Sequence, residues 1–165
     1  MSRRVNHKLD TGSWPLASEL YHRILDLFYG QGSKARAVPI AFRLLRILDK
    51  LDPNSDALLT LAARAVLAEL DGDLVEAIQF RKRELVAMDR LIAKRQLEAA
   101  SLDFSDYADR LDLMANLSFD LGDLDAAEEA IGQSLAFCRK HGVKFDGKDI
   151  QSAIRKARKS TLTAA

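Results

Sequence analysis

Glycine and proline cut this chain into pieces of helical length. The glycines at 12, 30, 32, 72, 122, 132, 142 and 147 and the prolines at 15, 39 and 53 fall, apart from Gly132 and Pro39, between segments in which apolar residues recur every three or four positions. A chain divided in this way builds short amphipathic helices joined by turns. Composition points the same way, because Leu (26) and Ala (24) far outnumber Val (6), Ile (8) and Thr (4), the residues that favour strands. The fold class expected is all-α. With 165 residues the chain is long enough to bury one core, and a net charge of +1 with 48% hydrophobic residues excludes wholesale disorder and a uniformly basic coat.

The periodicity predicts seven helices. The first runs from about Trp14 to Tyr29, capped by Ser13 and stopped by Gly30, and the second from Lys34 to Leu51, with Pro39 in or near its first turn. The third covers Asp56 to Leu70. A fourth opens with Asp73 and Glu76 in capping-box spacing and, with no glycine or proline to stop it, is expected to reach about Leu97. After a loop at Ser101 to Ser105, a fifth spans Asp106 to Leu121, a sixth Asp123 to His141 and a last Lys148 to Lys159.

No apolar run approaches the ~18 residues of a membrane span. The basic start, with Arg3, Arg4 and Lys8, is followed by no apolar core of a secretory signal, and the single cysteine, Cys138, rules out an intrachain disulfide. A cytoplasmic setting is therefore expected, with no cofactor. Glu19 and His22 stand at the i, i+3 spacing of di-iron bundles, but His7 and His141 lack a glutamate three residues before them, so the pair reads as a surface pair. Cys138 shares a stripe with Leu124, Ala127 and Ile131 and reads as core. No phosphate-cradling glycine loop, Gly-x-Ser-x-Gly elbow or His-Glu-x-x-His motif is present, so the chain is not expected to be an enzyme.

Turns at Gly30 to Ser33, Gly72 and Gly122 would join the helices as three antiparallel hairpins with one helix left to close the array. Within them, Tyr21, Ile24, Leu25 and Phe28 with Ala41 and Pro53, then Leu61, Arg64, Ala65 and Ala68 with Gly72, Asp73 and Ala77, then Leu111, Met114, Ala115 and Ser118 with Gly122, Asp123, Ala127 and Ile131 take the large, small and turn positions of one repeated pattern. The sequence thus resembles the tetratricopeptide repeat family over about Trp14 to His141. Two departures stand out: the turn glycines are 40 and 50 residues apart where the family period is ~34, and Arg64 occupies an apolar position. The resemblance implies a short superhelix of about three stacked hairpins with a C-terminal capping helix. Residues 1–12 would be a flexible segment, 13–160 a single helical domain and 161–165 a frayed end.

The family geometry further implies a concave groove, lined by the first helix of each hairpin, that receives a peptide or helix of a partner. Carried over residue by residue, the first hairpin offers Glu19, His22, Arg23, Asp26 and Tyr29, the second Ala62, Val66 and Glu69, and the third Asp109, Asp112, Asn116, Phe119 and Asp120. Charge is segregated along the chain, with ten acids and only Arg110 as a base between Glu98 and Glu129. A groove with acidic flanks and an apolar middle favours a basic, amphipathic partner segment. The expected function is a protein–protein interaction module, an adaptor or regulatory scaffold, with room for a homo-oligomer. The alternative is nucleic-acid binding through the basic fourth and C-terminal helices, disfavoured because those segments carry only Phe80 and Phe145 as stacking platforms.

Overall fold

The computed structural model describes residues 16–17, 19–24, 26–27, 34–51, 58–100 and 102–164. Regular structure there is helical throughout, with no strand among the described residues, as the Leu/Ala composition requires. We label the helices α1 (described residues between 16 and 27), α2 (Lys34–Leu51), α3 (Leu58–Leu70), α4 (Leu74–Ala93), α5 (Phe104–Leu121), α6 (Leu124–His141) and α7 (Lys148–Ala164), with a 3-10 turn at Glu98–Ala100. The Ser13 cap, the Gly30 to Ser33 turn and the Asp52 to Ser55 stop lie outside the described residues.

Helix ends show how local chemistry sets length. At Gly72 and at Gly122 the backbone enters the left-handed region, and paired bonds close each helix: the Asp73 N–H donates to the Ala68 carbonyl and the Gly72 N–H to Glu69, with Asp123 to Ser118 and Gly122 to Phe119 as the equivalents. This is the Schellman motif, which satisfies carbonyls that the last turn would leave bare. The fourth helix ends the same way without a glycine. Arg95 takes a φ of 55°, the Gln96 N–H donates to Leu91 and the Arg95 N–H to Ile92, so α4 stops at Ala93 rather than reaching Leu97. A side chain in that conformation costs ~1–2 kcal/mol, and for that reason a rule keyed to glycine does not find the stop.

Two other boundaries move. Asp103 caps α5 by accepting the Asp106 N–H while Asp106 accepts the Asp103 N–H in return, so the helix starts at Phe104 inside the expected loop. At the far end, α7 continues to Ala164, five residues past the expected stop at Lys159, with the Ser160 and Thr161 hydroxyls donating back to the carbonyls of Lys156 and Ala157. Residues 161–164 are thus helical where fraying was expected.

Contacts divide the chain into two compact units, Met1–Asp73 and Leu74–Ala165, with the boundary in the turn after Gly72. In the first unit Ala17, Leu20 and Ile24 of α1 share a buried cluster with Ala37, Ala41, Leu44 and Leu48 of α2 and with Ala63 and Val66 of α3. The alanines let the axes approach while the larger chains fill between them. Arg64 reaches back to Asp49 of α2, with 2.9 Å between Nη2 and Oδ1, so it serves at a position that the family pattern would make apolar. Pro39 lies inside α2, on its exposed side, where the Ala35 carbonyl it deprives of a donor is also in an exposed residue.

In the second unit α5 and α6 form an antiparallel hairpin about Gly122, α4 packs on α5, and α7 lies against both α6 and α5. Leu111, Met114 and Ala115 meet Ala127, Ala130 and Ile131, and Ile150 and Ile154 of α7 belong to the same buried cluster. The first and last of the expected pairings are therefore present in the cores, whereas the second hairpin has its helices in different units, α3 packed on α2 and α4 on α5. Ala115 and Ala127 are both fully buried in this cluster. Replacing Ala127 with Leu should destabilise the unit by ~1–3 kcal/mol through overpacking, read as a lower urea midpoint with unchanged helical signal in native buffer.

A candidate partner-binding groove in the second unit

The way α4 meets α5 is set by a carboxylate that has left water altogether. Glu84 is fully buried; its Oε1 accepts from Arg81 Nη1 at 2.7 Å and its Oε2 from Arg110 Nε at 2.7 Å, while Arg110 Nη1 also donates to the Asp106 carbonyl at 2.9 Å. Arg81 is itself buried and Arg110 nearly so. Such a group is stable only when both oxygens are answered by donors, and here the second donor comes from the neighbouring helix. The arrangement turns the Ala77, Arg81, Glu84 and Met88 side of α4 inward.

The other side of α4 borders a groove of about 530 Å³. Val75, Ile78, Lys82, Leu85, Val86 and Asp89 form that wall, and α6 supplies the opposite one with Ala126, Glu129, Ala130 and Gln133. Between them α5 provides the floor: Tyr107, Leu111, Met114, Ser118 and Leu121. Large apolar side chains stand open to solvent here, with Val75 55%, Val86 50% and Leu121 46% exposed. The charged lining is Asp89, Asp123 and Glu129 against Lys82, a net negative border. Burial, reinforced by the hydrogen bond to Asp89 and by that carboxylate's charge, pushes the Tyr107 hydroxyl up to about 12. Tyr107 therefore stays neutral at the groove's end, with Asp89 held beside it.

This groove is on the opposite face of α5 from the one the family register selects. Asp109, Asn116 and Asp120 are exposed on that other side, where Asn116 Nδ2 donates to the Asp112 carbonyl. Asp112 is half-buried and accepts from Ser134 Oγ of α6 at 2.6 Å, and Phe119 packs against the core. In the first unit Glu19, His22, Arg23 and Asp26 are exposed along α1, Ala62 and Val66 are buried, and Glu69 is partly buried; Tyr29 lies outside the described residues. Val66 is thus a core residue rather than a groove lining. Of the groove residues, Leu111, Met114 and Ser118 of α5 stand in the sequence as positions of the repeat. Val75 and Val86 are distinguished by their exposure, which their spacing does not encode.

Acids and a thiol influence one another about the far side of α5. Asp109 is raised above the usual carboxylate range by burial and by the charges of Asp112, Asp106 and Asp146; Asp112 is raised by burial and by Asp146, against the Ser134 hydrogen bond. Cys138 is raised by burial first and by Asp112 next, and its Sγ donates weakly to the Lys144 carbonyl at 3.8 Å, a buried and unreactive thiol. Among the described residues no three His, Cys, Asp or Glu side chains are placed to hold a metal ion, and no helix is long and apolar enough to cross a membrane. At the neighbouring end of the hairpin His141 stacks on Phe104, with ring centroids 4.1 Å apart, and Phe137 stacks on Tyr107 at 4.4 Å.

No protein-family model, no curated protein and no solved structure matches this chain.

The raised acids carry a pH signature. A carboxyl whose folded pKa exceeds its unfolded value stabilises the fold at low pH and loses that contribution as pH rises through the folded pKa. Asp109→Asn should therefore raise the melting temperature at pH 7 by a small amount, and the gain over wild type should vanish below the ordinary value of 3.8. A gain that persists unchanged at pH 3 would assign it to something other than charge.

Proposed function

We propose that the chain is a protein-interaction module, an adaptor or regulatory scaffold without chemistry of its own, and that the groove over α5 is where it takes up an amphipathic, basic helix. The observation that carries this reading is the coincidence, in one concavity, of Val75, Val86 and Leu121 left open to water with an acidic border. Covering apolar surface returns ~25 cal/mol per Å², so a partner that buries these three side chains gains several times the thermal energy before any polar contact is counted. Met114 in the floor is an adaptable side chain suited to a partner whose shape is not rigidly matched. Helix-in-groove recognition reads such a site through anchors spaced three and four residues apart, and the border charges select for Lys and Arg on the helix flanks.

Nucleic acid fits less well. Of the basic residues on α4, Arg81 is buried against Glu84 and Arg83 sits 5.6 Å from the centre of the Phe80 ring. On α7 Arg158 is bound to Asp125 and Glu128. These cations are already engaged within the protein.

A synthetic 18-residue amphipathic helix of Leu and Lys, titrated by fluorescence anisotropy, tests the groove. Val86→Lys combined with Leu121→Lys should weaken binding at least tenfold with the circular dichroism spectrum unchanged, since both side chains are exposed. Reversing Asp109, Asp112 and Asp120 to Lys should leave binding within about threefold. The opposite pattern would move the site to the other face of α5.

A further inference from the structure

Helix α2 has on its outer side what the groove lacks. Arg36, Arg43, Arg46 and Lys50 are all exposed there, and no acid occurs in the helix before Asp49, which is itself engaged with Arg64. At the margin of this basic arc Phe42 is 53% exposed, a large aromatic side chain left in water. Helical spacing puts Arg46 one turn beyond Phe42 and Arg43 next to it, so an aromatic anchor is flanked by cations. The groove offers the converse: open Val75, Val86 and Leu121 over Met114, bordered by Asp89, Asp123 and Glu129 with Lys82 as the one lining cation. Lengths also agree. From Arg36 to Lys50 and from Val75 to Asp89 the chain advances the same fourteen residues, ~21 Å at 1.5 Å per residue.

We infer that the occupant of the groove is helix α2 of a second copy of this chain, with Phe42 set against Met114 between Val86 and Leu121. The inference rests on the groove reading above and names the partner. The donor helix belongs to the first unit and the acceptor groove to the second, so the contact is heterologous: each copy presents one of each, and association continues head to tail until a ring closes or the chain of copies ends. The charges flanking Phe42 and those bordering the groove add an electrostatic part to the contact, which must weaken as the Debye length falls from ~10 Å at 0.1 M salt to ~3 Å at 1 M.

Two half-blocked variants of the full chain separate this arrangement from any other. One carries Phe42→Ala, Arg43→Glu and Arg46→Glu, which spoil the helix and leave the groove intact; the other carries Val86→Lys and Glu129→Lys, which spoil the groove and leave the helix intact. All five positions are exposed, and circular dichroism checks that each variant keeps its helical content. In sedimentation velocity at low salt the wild type should grow in mass with concentration and revert to monomer at 1 M salt. Each variant alone should stay monomeric, and an equimolar mixture should form a complex of two copies, because only there do an intact helix and an intact groove meet. A wild type that remains monomeric at 200 μM, a mixture that does not associate, or variants that associate as well as wild type would each overturn the inference. The Leu and Lys peptide makes the two readings separable. If it binds the groove while copies do not associate, only the second copy is wrong as occupant; if it does not bind and copies do not associate, the groove reading falls as well.

Discussion

A carboxylate with no access to water cannot be left unanswered, and in the second unit Glu84 is answered from two sides. Arg81 comes from its own helix and Arg110 from α5, so the register of α4 on α5 is held by a charge pair with little freedom to slide. An apolar contact could tolerate a shift of one turn by repacking; a bidentate demand for cations cannot, because a displaced Glu84 would be buried without its partner, at several kcal/mol. Everything else about this face follows. With Arg81 and Glu84 turned inward, Lys82, Val86 and Asp89 must face the other way, and the wall of the groove is assembled by the requirement that these two charges be satisfied.

Helical periodicity made the elements legible, and local capping chemistry made most of their ends legible too. Gly72, Gly122 and Gly142 stop helices where they were expected to, in the left-handed conformation that glycine adopts without strain. The miss at Ala93 has the same cause in a different residue, since Arg95 performs the turn at an energetic cost that composition does not reveal. The pairing of Asp103 with Asp106 is a capping box that has aspartate where glutamate or glutamine is usual at the third helical position, although the spacing is the same as that of Asp73 and Glu76.

The candidate site was much less legible than the fold. Periodicity states that a face is apolar without stating what lies against it, and α5 has two faces that a partner could use. The family register chose the side with Asp109, Asp112 and Asp120 because the family's groove is there; in this chain Asp112 is occupied with Ser134 and Phe119 with the core, while the concavity forms over Leu111, Met114 and Leu121. Spacing drew attention to acids. Exposure, which no spacing encodes, drew it to Val75 and Val86. Asp109 and Asp112 are raised first by their partial withdrawal from water, with neighbouring acids adding to it.

Each helix of the second unit packs on its neighbour in the chain, with α7 against α5 as the one longer step. Little loop entropy has to be surrendered before such contacts reward it, and chains dominated by local pairings fold in microseconds to milliseconds. The two-residue connection at Gly122 and Asp123 is the shortest in the second unit, and the helices it joins pack along each other. The floor of the groove and its α6 wall are thus held by contacts local in sequence, whereas the α4 wall is held through Glu84, whose second oxygen is answered by Arg110 of α5.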